Sequence, residues 1–460
     1  MAGEDEDRIN SLPSDVIVSI LSRLPLKDSA AKGPAHGQLG PLAALLKDAV
    51  RTSALARSGR HLWTFRPSLT LGCSGDPLGD TRDSGDSGPV ASSWIERVHH
   101  VVSSLRGPLL HFVLSHRFSS HQFALLQRLL DLLLQKGSLQ KLHLTTGCVL
   151  LSDLVVIHLP SFQSLQNLQL YGCRIVLPTG FQGLERLHTL ALENVQISNE
   201  DLHLLIHISN NLTGLKAFDF LASENHTYTI KLNLPLLRYL QIRINNSVRK
   251  AEVVSAPCLK RAYIGSYARS DFKKIASMNL GLMTSAVMVS SLHLAFDVLK
   301  SLSLVALPSN FTFPRLTHLK LFLNVGTMDR DKMTFDTFIW LLQSMPFLKV
   351  LDLQLHDYDY YINKDRVDIL MRGLLVNKHD GISCLDRTLK SVRIKMHTLN
   401  SDMTIITLVK FLLLNARVLE LMKVAYWTGS EVDPSMLEVL QNAKLTTSSK
   451  AEVVISECNC

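Results

Sequence analysis

The chain has 460 residues, 46% hydrophobic and 19% charged, with a formal net charge of +8. A single ordinary core stops growing near ~250 to 300 residues, so this length excludes one closed domain and asks for several domains or an open-ended repeat array. The apolar content excludes disorder over most of the length, and the 48 basic and 40 acidic side chains are too dispersed to ask specifically for nucleic acid.

The N-terminus opens on Glu4, Asp5, Glu6 and Asp7 instead of a basic and then apolar leader, and the seven cysteines form no C-x-x-C pair. A cytoplasmic and/or nuclear protein with neither metal nor cofactor is the expectation. Leu12-Pro13 is followed by an N-cap candidate, Ser14, and a helix with Val16, Ile17, Ile20, Leu21 and Leu24 on one side; Pro25 stops it. A second stretch of note runs from Ala49-Val50-Arg51-Thr52-Ser53 through Leu55 to Trp63.

These two stretches, within residues 1–65, resemble the two halves of the F-box, the helical motif that docks its protein onto the Skp-type adaptor of a cullin-RING ubiquitin ligase. The resemblance implies apolar adaptor contacts from Leu12, Pro13, Val16, Ile20, Leu24, Pro25, Val50 and Leu55, with Trp63 closing the small core. Two departures stand out: residues 29–48 are interposed between the halves, and Gly59 stands where the family has tryptophan. The plainer reading of the module is a generic helical cap shielding the end of a repeat array.

Residues 66–93, rich in Gly, Ser, Asp and Pro, read as a flexible linker. His99-His100 invites a metal reading, but adjacent helical residues point about 100° apart and no third ligand is evident. Over 94–375, the expected solenoid, and on into 376–460, which continues it, a Leu-x-x-Leu-x-Leu frame recurs. It stands at Leu139/Leu142/Leu144, Leu165/Leu168/Leu170, Leu187/Leu190/Leu192, Leu215/Phe218/Phe220, Leu237/Leu240/Ile242 and Leu259/Ala262/Ile264. Further copies stand at Leu299/Leu302/Leu304, Leu316/Leu319/Leu321, Leu348/Leu351/Leu353, Leu389/Val392/Ile394 and, without its first leucine, Ala416/Leu419/Leu421. Steps between middle positions are 26, 22, 28, 22 and 22 residues, then 40, 17, 32, 41 and 27.

The early steps fit leucine-rich repeats of ~20 to 29 residues. Alternation puts the last two apolar residues on one face of a short strand, and a rung that cannot bury them alone buries them against its neighbours. The fold class expected is therefore α/β, a leucine-rich-repeat solenoid with a curved parallel sheet and helices on the convex side, such as 122–134 and 199–208. The apolar window Leu280 to Phe296 reads as solenoid interior, being marginal for a bilayer span. The facing positions His143, Gln169, Ala191, Asp219 and Gln241 provide no basic stripe. Tyr358, Tyr360 and Tyr361, beside Asp357 and Asp359, are the candidate substrate-binding residues, on a loop following the strand at Leu351 to Leu353; a solvated loop is the alternative.

Residues 376–460 read as strand, helix, strand. Cys384-Leu385, Leu389-Lys390-Ser391-Val392-Arg393-Ile394 and Phe411-Leu412-Leu413-Leu414-Asn415-Ala416-Arg417-Val418-Leu419 are similar to the FBD domain that closes many plant F-box proteins, although the glycine usual after its first strand is absent from 397–402. The whole chain thus resembles the plant F-box/leucine-rich-repeat/FBD family. That resemblance implies a non-enzymatic substrate-recognition subunit of an SCF-type ubiquitin ligase, bound to a Skp-type adaptor, through it to a cullin, and to a protein substrate, with no role for nucleic acid or membrane. The rival reading is a non-ligase scaffold with a degenerate F-box. No phosphate loop, nucleophile elbow or H-E-x-x-H helix speaks for catalysis.

Overall fold

The structure is a computed structural model that describes residues 65, 67–72, 90–118, 122–147, 154–221, 228–245, 247–267, 272–324, 332–356, 382–396, 403–427 and 450–458. Two units divide the chain: Met1–Leu212 with Asp219–His226, and Thr213–Phe218 with Thr227–Cys460.

In the N-terminal unit the strands are β1 (Ser68–Gly72), β2 (His111–Ser115), β3 (Lys141–Thr145), β4 (Val155–His158), β5 (Asn167–Tyr171), β6 (Cys173–Val176) and β7 (Thr189–Glu193). Its helices are α1 (Val90–Ser104), α2 (Phe123–Lys136) and α3 (Asn199–Ile208). Strands β1, β2, β3, β5 and β7 pair in parallel, with Leu69, Phe112, Leu142, Leu168 and Leu190 in one register and Leu71, Leu114, Leu144, Leu170 and Leu192 two residues on. Both ridges are buried, and each such side chain contributes about 1.5 to 3 kcal/mol relative to exposure. Ser68–Gly72, read as linker, is thus a rung of the sheet.

The C-terminal unit holds β8 (Gly214–Phe218), β9 (Tyr228–Asn233), β10 (Tyr239–Asn245), β11 (Val248–Ser255), β12 (Arg261–Tyr267), β13 (Ser291–Leu294), β14 (His318–Asn324), β15 (Val350–His356), β16 (Ser391–Met396), β17 (Leu421–Trp427) and β18 (Glu452–Cys458). Its helices are α4 (Phe272–Ser285), α5 (Phe296–Leu302), α6 (Lys332–Gln343), α7 (Ser383–Arg387) and α8 (Met403–Asn415). Strands β8, β10 and β12 to β18 form its parallel sheet. Helix α5 packs on β12 and β14, so the core lies between sheet and helices.

One backbone device repeats in both units. The carbonyl just before a strand accepts two N–H groups from the next repeat: Gln140 from Gln166 and Asn167, Arg238 from Lys260 and Arg261, Thr317 from Lys349 and Val350. Each rung thereby satisfies polar groups of its neighbour that stacking removes from water.

Expectation and structure differ at several repeats. The 299–304 copy is helical, since Phe296–Leu302 is α5; the strand there is Ser291–Leu294, with Leu292 and Leu294 buried. Middle positions then run Ala262, Leu292, Leu319, turning steps of 40 and 17 into 30 and 27. At two others the frame sits three residues away. Leu215 and Ala217, not Phe218 and Phe220, stand in register with the buried Leu240 and Ile242, and Met422 and Val424 replace Leu419 and Leu421. Leucines spaced by three residues satisfy both frames, and only the pairing register with neighbouring strands chooses between them.

Nor are helices the only return path. The 22-residue steps from Leu168 to Leu190 and from Leu240 to Ala262 return through β6 and β11, which pair with β4 and β9 in two separate parallel sheets. A strand advances ~3.3 Å per residue and a helix 1.5 Å, so the shortest repeats close only with an extended return. Strand, helix and strand follow one another at Ser391–Met396, Met403–Asn415 and Leu421–Trp427, and a further strand, Glu452–Cys458, extends the sheet.

Candidate functional site: the open face of the sheet

Because side chains alternate along a strand, burying one ridge against the helices turns the next row to the other face. In the N-terminal unit that row holds Thr70, Val113, His143, Gln169 and Ala191, close to neutral. Its counterpart in the C-terminal unit begins Lys216, Gln241, Tyr263, His293 and Lys320 and continues through Asp352, Arg393 and Lys423. On β8 the facing residue is Lys216, not Asp219, and on β17 it is Lys423; with Lys320 and Arg393, in the expected frame beyond Gln241, they make the C-terminal face basic. Arg243 and Lys395 stand one row further on.

Aromatic rings carry several of these cations. Lys216 Nζ lies 4.8 Å and Arg243 Cζ 4.6 Å from the Phe218 ring centre, and Lys320 Nζ is 4.6 Å from that of Phe322. Tyr263 lies between the two rings, 5.8 Å from Phe218 and 6.2 Å from Phe322. Gly265 makes room for it: a Cβ there would stand 3.1 Å from Tyr263 Cε1 and 3.3 Å from both Ala295 Cβ and Arg243 Cγ. Phe218, an aromatic on the open side, is only 3% exposed.

Beside the rings runs a polar chain. His318 Nε2 donates to Asp352 Oδ2 at 2.8 Å, a direction fixed by the acceptor-only carboxylate, and Arg393 Nε is 3.6 Å from Oδ1. Burial works to raise the Asp352 pKa, but the His318 hydrogen bond and the charges of His318, Arg393 and Lys320 bring it below its ordinary value. Burial, then His318 and Lys320, pushes His293 down to about 4. Burial also lowers Lys320, against the pull of Asp352, and raises Tyr239, whose hydroxyl is 2.6 Å from Gln241 Oε1.

None of the candidate residues chosen from sequence is among the described residues. Leu12, Pro13, Val16, Ile20, Leu24, Pro25, Val50, Leu55 and Trp63 lie outside the described residues, as do the interposed 29–48 and Gly59. Tyr358, Tyr360 and Tyr361 also lie outside them, shortly after β15 ends at His356. The signal that could have found the open-face residues was the residue between each buried pair, once the frame was right. Among the described residues no group of three or more His, Cys, Asp or Glu is placed to hold a metal, and no helix is long and apolar enough to cross a membrane.

Residues 126–283 match the family model described as FBD-associated F-box protein At5g56370, LRR repeats. Over 277 residues, 57% of this chain and 78% of the relative, the chain is 25% identical to F-box protein At5g03100 of Arabidopsis thaliana. It is 23% identical over 329 residues to F-box/LRR-repeat protein At3g26922 of the same plant, covering 64% of this chain and 94% of the relative. With its stacked parallel sheet, the chain is similar to plant F-box/leucine-rich-repeat proteins over the greater part of its length.

Proposed function

We propose that this chain is the substrate-recognition subunit of an SCF-type (Skp-cullin-F-box) E3 ubiquitin ligase, with the repeat sheet holding the target and residues 1–65 holding the adaptor. The open face of the C-terminal unit carries the reading, because its Tyr, Phe and Arg side chains are the types enriched in protein-binding patches. In this role the chain makes and breaks no bonds. It raises the effective concentration of a target lysine near the ubiquitin-charged E2, so that catalysis comes from positioning. The reading entails a cytoplasmic and/or nuclear protein without cofactors, an FBD module over 376–460, and Tyr358, Tyr360 and Tyr361 as contributors to target contact.

A second reading, a non-ligase scaffold, is favoured by residues 29–48 and Gly59, which depart from the docking motif. Capture of the full chain on a purified Skp-type adaptor separates the two. Binding that is lost in an Ile20→Asp variant supports the ligase subunit. No binding by the full chain, with binding restored on deleting Ser29 to Asp48, supports the scaffold.

A further inference from the structure

We infer that the open face of the C-terminal unit takes an acidic, extended protein segment, gripped at the ring-and-cation lattice of Lys216, Phe218, Arg243, Tyr263, Lys320 and Phe322. The inference rests on the reading of this face as the target-binding surface and adds the chemistry of the target.

A ring quadrupole attracts a cation but carries no net charge, so the rings of Phe218 and Phe322 hold Lys216, Arg243 and Lys320 without neutralising them. Further along the face Arg393, Lys395 and Lys423 add to their charge. Of the acidic residues on the described strands, Asp352, held by His318 and Arg393, and Glu452 on the last strand share this face with them. Such a surface repels cationic partners and draws in carboxylates.

Order contributes as well. Cations already seated on rings have less rotamer freedom to lose when a ligand binds. Size is consistent with a peptide: from Lys216 on β8 to Lys320 on β14 are four strand spacings, which is ~19 Å and is crossed by about six extended residues.

Two features favour a protein segment over a nucleic acid. Single-stranded nucleic acids stack bases on open aromatic faces, whereas Phe218 is 3% exposed and cations lie over both phenylalanine rings. Asp352 also interrupts the basic row between Lys320 and Arg393. A phosphate backbone would bring a negative charge there at every step; a peptide can place a neutral or basic residue.

The test uses the full chain and fluorescence anisotropy with a synthetic labelled peptide of about twelve residues, glutamate alternating with alanine around a central phenylalanine. Its partners are a glutamine-for-glutamate counterpart and a thymidine oligonucleotide. The acidic peptide is expected to bind about tenfold or more tighter than the glutamine peptide, and to lose that preference in Arg243→Glu and Lys320→Glu but not in Lys141→Glu, on the N-terminal unit. Unfolding midpoints confirm that the variants fold, and Arg243→Gln, which removes charge without reversing it, is expected to fall between. Equal binding of the two peptides, unchanged affinity in the charge reversals, or tighter binding of the oligonucleotide overturns the inference. Adaptor capture on the same preparations keeps the readings apart. Capture without peptide preference overturns this inference alone; peptide preference without capture upholds it and counts against the ligase subunit.

Discussion

His318 on β14 and Asp352 on β15 join across neighbouring strands through one hydrogen bond, Nε2 to Oδ2 at 2.8 Å. The carboxylate also faces Arg393 and feels Lys320, so a single acid is shared by donors and cations from three strands. Asp352→Asn is expected to cost about 1 to 2 kcal/mol at neutral pH, the difference between a charged and a neutral acceptor plus some repulsion. The folded Asp352 pKa lies below its unfolded value, so its contribution is present above the unfolded value and is lost as pH falls through the folded one. Urea unfolding should therefore show wild type and variant converging in acid. Parallel curves at all pH values would mean that the ion pair contributes nothing.

Met422 and Leu421 decide the register of the next rung. Met422 is fully buried while Leu421 faces the open side. Met422→Ala should cost about 2 to 5 kcal/mol, and Leu421→Ala under about 1 kcal/mol. Equilibrium unfolding of the two variants reads the difference; a reversed order would restore the frame that the leucines alone suggest.

In the N-terminal unit, His116 stacks on Trp94 with ring centres 4.3 Å apart and meets Phe118 edge-on at 4.9 Å. Burial pushes its pKa from 6.5 down to about 4. Between those values the unfolded chain binds the proton and the folded chain refuses it, so stability is complete above 6.5 and declines toward 4, by at most about 1.4 kcal/mol per pH unit. His293, also lowered to about 4, titrates in the same window. His116→Phe should remove roughly half of the combined slope in unfolding free energy between these pH limits. A slope untouched by the substitution would show that His116 takes its proton freely in the folded chain.

Ser198 caps α3. Its Oγ accepts from the Asp201 N–H at 2.9 Å, and Glu200 and Asp201 lie in the helix's first turn, where its dipole is positive. Ser198→Ala should cost about 1 kcal/mol, and Ser198→Asp should recover most of it. Thermal unfolding measures both. An alanine variant as stable as wild type would leave the cap without energetic consequence.

Much of this fold is legible from residues near one another in the chain. Leu142 and Leu144 announce their strand because alternation is a local property, and Ser198 with Asn199–Ile208 announces its helix because capping and helical period are local too. Repetition of such units determined the solenoid class from sequence alone. Frame was another matter. Leu212, Leu215 and Phe218 are evenly spaced, and nothing within that segment says whether Lys216 or Asp219 faces outward. Stacking decided it, by burying Leu215 beside Leu240. Tertiary structure likewise set Phe296–Leu302 as a helix where leucine spacing alone suggested a strand, and brought Phe218, Tyr263 and Phe322 together from distant rungs. A repeat states what each rung needs to bury, whereas the row left outside exists only after neighbouring rungs have fixed one register.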